Sequence, residues 1–300
     1  MMHITYKKLH IITLLVLLTL TSVGLSAISF YGEATTGLNF QFSDETVSSP
    51  LNPDNIMGIK DIEPTSSVTA KLEDQGEKSS FALWLSVNPS QQNLDVMRLS
   101  ADWYVSDSIR LTLGRQSFLT GYGYGWNPID LANPLKDPSN PKQELHGVDA
   151  LSVTYDSGDF WQAKVYTLFN ISEMSGVDFD EIKGGAEFTF IVSNTEIIIN
   201  GLLGSSSDSI QSYPKAAGIG FLTDIAGIGL YGEGTIRDGS RTGIPGSTPD
   251  YTLEPNNDVV FSSLIGVEYY FNSGLSVIAE YYYNGEGLNQ TDRANYWDAL

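Results

Sequence analysis

The feature that most constrains this chain is an alternation of apolar and polar residues, repeated along most of the sequence. From Phe30 to Phe42 the even-numbered positions are apolar or small, whereas the odd-numbered positions are mostly polar. Successive side chains of a β-strand point to opposite faces of a sheet, so a period of two predicts a strand with one dry face and one wet face. An amphipathic helix would instead repeat its apolar residues every three to four positions.

The same pattern recurs in about thirteen segments, most of them about 9–11 residues long, which is the length that a tilted strand needs to cross a bilayer. We therefore predict a protein made of many strands of similar length. The predicted strands are 30–42, 67–75, 81–87, 97–105, 109–113, 148–156, 161–169, 186–192, 196–203, 215–223, 226–236, 261–271 and 275–283.

The connections between these segments are alternately short and long. Alternation of this kind is typical of outer-membrane barrels, which have tight periplasmic turns and extended external loops. The short polar turns lie at 106–108, 156–159, 193–195 and 272–274. The predicted long connections lie at 43–66, 120–147, 171–182, 204–213 and 237–258.

A soluble β-sandwich would show the same alternation, because it also buries one face of each strand. Two observations favour a membrane barrel instead. Aromatic residues cluster at strand ends, as in interfacial girdles, for example at 269–271 and 281–283. The polar faces also carry many charged residues, which suits a wet lumen. We predict an all-β fold, an antiparallel transmembrane β-barrel whose apolar face contacts outer-membrane lipid.

The strand number of such a barrel is constrained, because bacterial single-chain barrels have an even number of strands. The last residues, 285–300, are polar and read as a loop rather than as a closing strand. An open sheet edge in lipid would leave backbone groups unpaired at a cost of several kcal/mol each. We therefore expect about 14 or more strands: either the barrel is incomplete at the C-terminus of this chain, or the count of thirteen segments is short by one or more.

The N-terminus has the plan of a secretory signal peptide. Lys7 and Lys8 precede an apolar run at 11–20, and small residues follow up to Ala27. The alternative is an uncleaved anchor over 11–28, which is interrupted by polar residues and barely long enough to span a bilayer. We predict a signal peptide at 1–27 and an outer-membrane β-barrel at 28–300. We expect the protein to reach the bacterial outer membrane.

Composition excludes several kinds of chemistry. The chain has no Cys, so it has no disulfide framework, thiolate metal site or cysteine nucleophile. Once His3 and His10 leave with the leader, His146 remains, and nothing near it suggests a catalytic partner. Acidic clusters near Glu73 and Asp178 lack the spacing of a calcium-binding loop. We predict that the protein is not an enzyme and has no cofactor and no metal site.

The charge of the chain is strongly negative. Without Lys7 and Lys8, 14 basic residues stand against 36 acidic ones, which gives a formal charge of −22. Binding of nucleic acid relies on neutralisation of phosphates by Lys and Arg, so we expect no nucleic-acid partner. If the acidic residues line a lumen, they favour the passage of cations.

Residues 114–155 contain the most specific motif of the chain. Gly114-Arg115-Gln116 ends a strand, a glycine-rich aromatic stretch follows, residues 126–134 read WNPIDLANP, and residues 147–150 read GVDA. This pattern resembles a porin-like group of bacterial outer-membrane barrel proteins that share a GRQ strand, a glycine-rich turn, an NPxDxxNP loop and a GVDA strand start. The resemblance implies a barrel channel, and it does not indicate the solute.

The connection at 120–147 is unusually long for a loop in a compact fold. Its two Asn-Pro pairs prescribe turns with a stiffened φ, and Asn or Asp side chains can cap nearby N–H groups. Long ordered loops are usually functional. We predict that this loop folds into or across the mouth of the barrel and narrows it, with Arg115, Asp130 and Lys136 nearest the solute. The alternative is a rigid external loop in which Asn127, Asp130 and Asn133 serve only as turn caps.

Two details of this hypothesis depend on side-chain direction. Arg115 falls on the apolar side of its strand, together with Leu111 and Leu113, so a bulge at Gly114 is needed to turn it inward. The aromatic residues of the loop suit either the stacking of sugars or an interfacial belt, and we favour the belt. These aromatic residues are Tyr122, Tyr124 and Trp126.

The function that the sequence favours is a porin-like outer-membrane channel for passive diffusion of small hydrophilic solutes, with a preference for cations. The alternative is a surface-exposed adhesin or structural outer-membrane protein, in which side chains fill the lumen and the external loops carry the function. The sequence does not indicate the solute or the oligomeric state, and it is compatible with a homo-oligomer.

Overall fold

The computed structural model describes residues 28–40, 62–88, 93–134, 145–172, 176–204, 215–240, 244–245, 253–254, 258–287 and 290. The expected signal peptide, Lys136 and most of the polar tail lie outside these residues. Thirteen strands of the described chain form one antiparallel sheet in which each strand lies beside the next along the chain, and two short strands at 244–245 and 253–254 form a small separate pair. No helix in this part of the chain is long and apolar enough to cross a membrane.

The strands have the following bounds: β1 Ile28–Phe40, β2 Ile62–Gln75, β3 Ser79–Asn88, β4 Asn93–Ser106, β5 Ile109–Gln116, β6 Val148–Asp156, β7 Trp161–Ser172, β8 Gly176–Val192, β9 Thr195–Gly204, β10 Lys215–Ile225, β11 Ile228–Asp238, β12 Ile244–Pro245, β13 Leu253–Glu254, β14 Val259–Tyr270 and β15 Ser276–Tyr283. The thirteen strands of the large sheet correspond to the thirteen segments of alternating sequence. The prediction of an all-β antiparallel fold is confirmed.

The chain divides into two compact units, of which the first comprises residues 1–76 and 81–99. Here β1 pairs with β2 without interruption from Ile28 and Asp74 to Phe40 and Ile62. In the same unit the indole N–H of Trp84 donates to Glu73 at 2.7 Å, and the ammonium of Lys71 lies 4.3 Å from the centre of the Trp84 ring. Polar and aromatic side chains therefore share one face of this unit.

The second unit, residues 77–80 and 100–300, contains the strands from β5 to β15. The predicted short turns at 106–108, 156–159, 193–195 and 272–274 all join neighbouring strands here, and these predictions are confirmed. A further tight turn joins β10 to β11, where Ala226 and Gly227 both have positive φ, as a two-residue type I′ hairpin requires.

The prediction of a long connection at 171–182 is wrong. β7 continues to Ser172 and β8 begins at Gly176, so the two strands pair as far as Ser172 and Gly176. The ladder shifts register between Leu168 and Asn170, which makes room for the extra residues of β8. The acidic residues of this segment led to the prediction of a loop. Backbone pairing at the end of a hairpin, however, does not depend on apolar side chains.

The two faces of the strands in the second unit differ in exposure. In β14, Phe261 and Ile265 are 53% and 51% exposed, whereas Ser262 is 0% exposed, and Thr235 of the neighbouring β11 is 1% exposed. A water-soluble sandwich would bury the apolar face and leave the polar face open. The opposite is found, so the soluble alternative is wrong for this unit. We call these two sides the apolar face and the polar face.

Candidate functional site

The site is the segment 117–134, which follows β5 and lies against the polar face of the second unit. Its two ends are joined by Asn133, whose amide accepts a hydrogen bond from the Phe118 N–H at 3.0 Å and donates one to the Phe118 carbonyl. The Phe118 ring packs on Tyr166 of β7, with ring centres 4.6 Å apart. The ring of Tyr166 covers Gly185 on β8, where a Cβ atom would lie only 2.2 Å from it. The base of the loop is thus closed and anchored to the sheet.

A turn inside the loop forms at the first Asn-Pro pair, Asn127-Pro128. The N–H of Asp130 donates to the Asn127 carbonyl at 3.2 Å, which closes a turn around Pro128. The carboxylate of Asp130 accepts hydrogen bonds from the N–H groups of Ala132 at 3.3 Å and Asn133 at 3.0 Å. The predicted turn at Asn127-Pro128 is confirmed, whereas the turn predicted at Asn133-Pro134 extends beyond the described residues.

A glycine is required where the first part of the loop meets the turn. Gly121 has a φ of +91°, and a Cβ atom there would lie 2.0 Å from the side-chain oxygen of Asn127. The amide of Asn127 donates to the carbonyl of Thr120, which holds the two parts together. Asn127 therefore acts within the loop, and a larger residue at position 121 would displace it.

Glu233 of β11 binds the backbone of the loop at three points. Its carboxylate accepts hydrogen bonds from the N–H groups of Tyr122, of Gly123 at 2.8 Å and of Ile129 at 3.4 Å. The residue is 5% exposed. A buried carboxylate that accepts several N–H groups satisfies donors that would otherwise be unpaired. Glu233 therefore fixes two separate parts of the loop against β11.

Glu280 of β15 binds the next part of the loop in the same way. It accepts hydrogen bonds from the N–H of Tyr124 and, at 2.8 Å, from the N–H of Gly125. The hydroxyl of Tyr231 on β11 donates to the same carboxylate at 2.8 Å. The stretch of alternating Tyr and Gly at 122–125 thus presents successive N–H groups to two carboxylates of the sheet.

Two further carboxylates hold side chains of the loop. Glu187 of β8 accepts a hydrogen bond from the Thr120 hydroxyl and pairs with Lys164 of β7 at 3.0 Å. Glu196 of β9 accepts a hydrogen bond from the Tyr122 hydroxyl at 2.8 Å. Burial raises the pKa of Tyr122 well above its ordinary value, and the hydrogen bond to Glu196 raises this pKa further. Tyr122 therefore remains a protonated donor.

The Ile129 side chain is 0% exposed and fills a niche on β10. A Cβ atom at Gly218 would lie 3.0 Å from Cγ2 of Ile129, and one at Gly220 would lie 2.8 Å from its Cδ1. The carbonyl of Ile129 accepts a hydrogen bond from the Asn200 amide at 2.6 Å. The sheet thus has no side chains at the two positions of β10 against which Ile129 packs.

The carbonyl of Pro128 is held by β11. It accepts hydrogen bonds from the Thr235 hydroxyl and from the Arg237 guanidinium, each at 2.7 Å. Arg237 is 1% exposed and also lies 4.0 Å from the carboxylate of Glu286. Both the donors and the acceptors of the loop backbone are therefore bound by side chains of the sheet.

Arg115 does not turn toward the polar face. The β5–β6 ladder runs without a shift from Ile109 and Tyr155 to Gln116 and Val148, so the prediction of a bulge is wrong. Arg115 donates two hydrogen bonds to Asp149, at 3.1 Å and 2.8 Å. The register places Asp149 directly opposite, and this bidentate partner compensates the charge without any reorientation.

The aromatic residues of the loop do not join an interfacial belt, so that prediction is wrong. Tyr122, Tyr124 and Trp126 lie over the polar face, because the sheet carboxylates bind the backbone between them. Tyr122 is directed to Glu196, while Tyr124 and Trp126 remain 38% and 40% exposed. Trp126 stacks on Tyr282 of β15, with ring centres 5.6 Å apart.

Sequence reasoning missed the residues of the sheet that hold the loop. The sequence does show polar or very small residues at alternate positions of these strands. It does not show which distant residues of the chain they contact. The residues that hold the loop are Lys164, Glu187, Glu196, Asn200, Gly218, Gly220, Glu233, Thr235, Arg237 and Glu280. Among the described residues, no group of three or more His, Cys, Asp or Glu is arranged to hold a metal ion.

The arrangement of strands is similar to that of bacterial porins. An OmpF structure from Salmonella typhi, in complex with daunomycin, matches with a TM-score of 0.55 and 11% sequence identity, covering 85% of this chain and 78% of OmpF. The chain has a porin-type fold. A mutant of the Rhodopseudomonas blastica porin aligns with a TM-score of 0.42 and 12% identity over 86% of this chain and 95% of that porin. No protein-family model and no curated protein sequence matches the chain.

Proposed function

We propose that this protein is an outer-membrane channel through which small hydrophilic solutes diffuse passively. The observation that carries the proposal is the loop at 117–134, which is bound along the polar face instead of extending from the strand ends. The exposed apolar face suits contact with lipid, because residues such as Phe261 and Ile265 would otherwise lie open to water. The porin-type fold supports the same conclusion.

The loop narrows the channel in this proposal. It is bound by β7 at Tyr166, by β8 at Glu187, and by β9, β10, β11 and β15 through the contacts described above. A segment fixed along the lumen wall occupies part of the cross-section that solutes would use. Tyr124 and Trp126 are the exposed aromatic side chains of the loop, and they face the solute. Tyr122 is fixed by Glu196 and helps to hold the loop.

The other predicted residues have different roles in this proposal. Asn127, Asp130 and Asn133 maintain the shape of the loop through its internal hydrogen bonds. Arg115 is not part of the constriction, because it binds Asp149 on the opposite side of β5. Lys136 lies beyond the described part of the loop, and its approach to the solute stays a prediction.

The channel prefers cations in this proposal. The charged side chains of the sheet that contact the loop comprise four carboxylates and two cations, so acidic groups outnumber basic groups there. A lumen with excess negative charge favours cations. Reversal potentials measured across a planar bilayer in a KCl gradient should show higher permeability to K⁺ than to Cl⁻. Equal permeabilities would contradict the preference.

The constriction can be tested by removing the loop while keeping its base. Deletion of residues 120–131, with Leu119 joined to Ala132 through a short glycine linker, retains the Phe118–Asn133 bonds. We expect larger single-channel conductance, because the part that crosses the polar face is gone. Heat-modifiable gel mobility shows whether the variant is folded. An unchanged conductance of the folded variant contradicts the constriction, and the absence of any conductance from folded wild-type protein contradicts the channel.

A further inference from the structure

A stacked pair of aromatic rings, Trp126 and Tyr282, lies on the polar face, and Trp126 is 40% exposed. Trp126 of the loop stacks on Tyr282 of β15 at an interplanar angle of 18°, and Tyr124 lies two residues before Trp126. Tyr282 alternates with Tyr281 and Tyr283, which are 70% and 51% exposed on the apolar face. We call the stacked pair Trp126 and Tyr282, together with the 38% exposed Tyr124 that precedes it in the loop, the aromatic patch. Large rings that remain open on a polar surface favour a ligand that covers them.

The backbone beneath the patch is held by a carboxylate whose hydrogen-bonding capacity is largely used. One oxygen of Glu280 accepts hydrogen bonds from the Tyr124 N–H and the Tyr231 hydroxyl, and the other accepts one from the Gly125 N–H. The patch therefore has negative charge nearby, on a carboxylate whose two oxygens already accept three hydrogen bonds.

We infer that the aromatic patch is a binding subsite for organic cations, meaning an ammonium group carried on an apolar body. The faces of Trp and Tyr rings attract cations through their quadrupole, and the charge of Glu280 adds to this attraction. The apolar body of the ligand covers the exposed rings. This inference rests on the proposed channel only for how the ligand reaches the patch.

A neutral sugar fits the same surface less well. Sugars also stack on aromatic rings, but their hydroxyl groups need acceptors and donors for specific binding. Glu280, which would be the natural acceptor beside the rings, is already engaged by the loop and by Tyr231. Its negative charge remains effective for a cation even when its lone pairs are used. The structure therefore favours an organic cation as the occupant.

Binding can be measured without relying on conductance. Purified full-length protein in detergent is titrated with benzyltrimethylammonium chloride by isothermal titration calorimetry. We expect saturable binding that is at least about fivefold weaker in Trp126→Leu and in Tyr282→Leu, from the usual strength of a cation–π contact. Trp161→Leu is the matched control, because Trp161 stacks on Tyr155 at 4.9 Å on the apolar face. Its affinity should equal that of the wild type.

The outcomes separate this inference from the proposed function. Equal affinity in the wild type and in folded Trp126→Leu overturns the subsite, and Tyr282→Leu decides in the same way if Trp126→Leu does not fold. Benzyl alcohol is the neutral control. The subsite for organic cations is also overturned if benzyl alcohol binds as tightly as the cation, or if maltose binds more tightly. Binding of the cation by a protein that conducts no ions supports the subsite and contradicts the channel. Normal conductance without binding of the cation supports the channel and contradicts the subsite.

Discussion

Replacement of Glu233 by Ala should release the loop from the polar face. The carboxylate accepts N–H groups of Tyr122, Gly123 and Ile129, and the first two bonds are short. A buried donor left without an acceptor costs about 1–3 kcal/mol, so loss of the two shorter bonds weakens docking by about 2–6 kcal/mol. Since about 1.4 kcal/mol corresponds to a factor of ten, the undocked population rises by about thirtyfold or more.

Limited proteolysis measures this population. Chymotrypsin cleaves after Tyr and Trp, and an extended segment must leave the sheet before the protease can bind it. Where opening and closing are fast relative to cleavage, the cleavage rate follows the population of the open form. We therefore expect cleavage after Tyr122, Tyr124 or Trp126 to be at least about thirtyfold faster in Glu233→Ala than in the wild type.

Asp102→Ala is the matched control for this experiment. Asp102 of β4 also carries a carboxylate, but it accepts hydrogen bonds from Ser80 at 2.8 Å and Thr112 at 2.5 Å, which both belong to strands. This variant removes the same charge without touching the loop, so its cleavage rate should stay near that of the wild type. If Glu233→Ala is cleaved no faster than Asp102→Ala, the carboxylate does not hold the loop and the reasoning is refuted.

Three further predictions concern packing, the ion pair and pH. Gly220→Ala places a Cβ atom 2.8 Å from Ile129 and should weaken loop docking by about 1–3 kcal/mol, seen as faster chymotrypsin cleavage, whereas Gly234→Ala, with its nearest atom at 3.8 Å, should not. Arg115→Ala leaves Asp149 without its partner, so it should lower the temperature of heat modification and leave single-channel conductance unchanged; altered conductance would place Arg115 in the pore after all. The pKa of Tyr122 is raised from its ordinary value of 10.0, so its stabilising contribution is fully present below pH 10 and is lost only as the pH rises through the folded-state pKa. Absorbance titration to pH about 11 should thus detect equal numbers of phenolates in the wild type and in Tyr122→Phe, and one fewer in the variant would contradict it.

The strands could be predicted from the sequence because their signal is local. Alternation in β14 and β15 is visible within each segment, and it corresponds to the exposed and buried faces that the structure shows. The turn around Pro128 was predictable for the same reason, since Asn127 and Asp130 bond within a few residues. The prediction of a loop at 171–182 was wrong because the polar residues of this segment gave no sign of strand pairing. The backbone pairing there depends on the partner strand.

The anchors of the loop could not be predicted, because they depend on register between distant segments. Tyr122 and its acceptor Glu233 are 111 residues apart, and Tyr124 and Glu280 are 156 residues apart. Arg115 shows the same limit, since only the β5–β6 register reveals that Asp149 lies opposite it. Gly218 and Gly220 offered one usable signal, because two glycines on the polar face of a strand indicate that another backbone approaches closely.

Labelling of single cysteines tests the orientation of the strands most directly, and the chain has no Cys that would give a background. Ile265→Cys lies on the apolar face of β14, and Glu268→Cys lies on its polar face, three residues away. In liposomes, a water-soluble maleimide that does not cross membranes should label position 268 at least about tenfold faster than position 265, which lipid should shield. Equal rates at the two positions, or faster labelling at 265, would contradict a barrel with lipid outside and water inside.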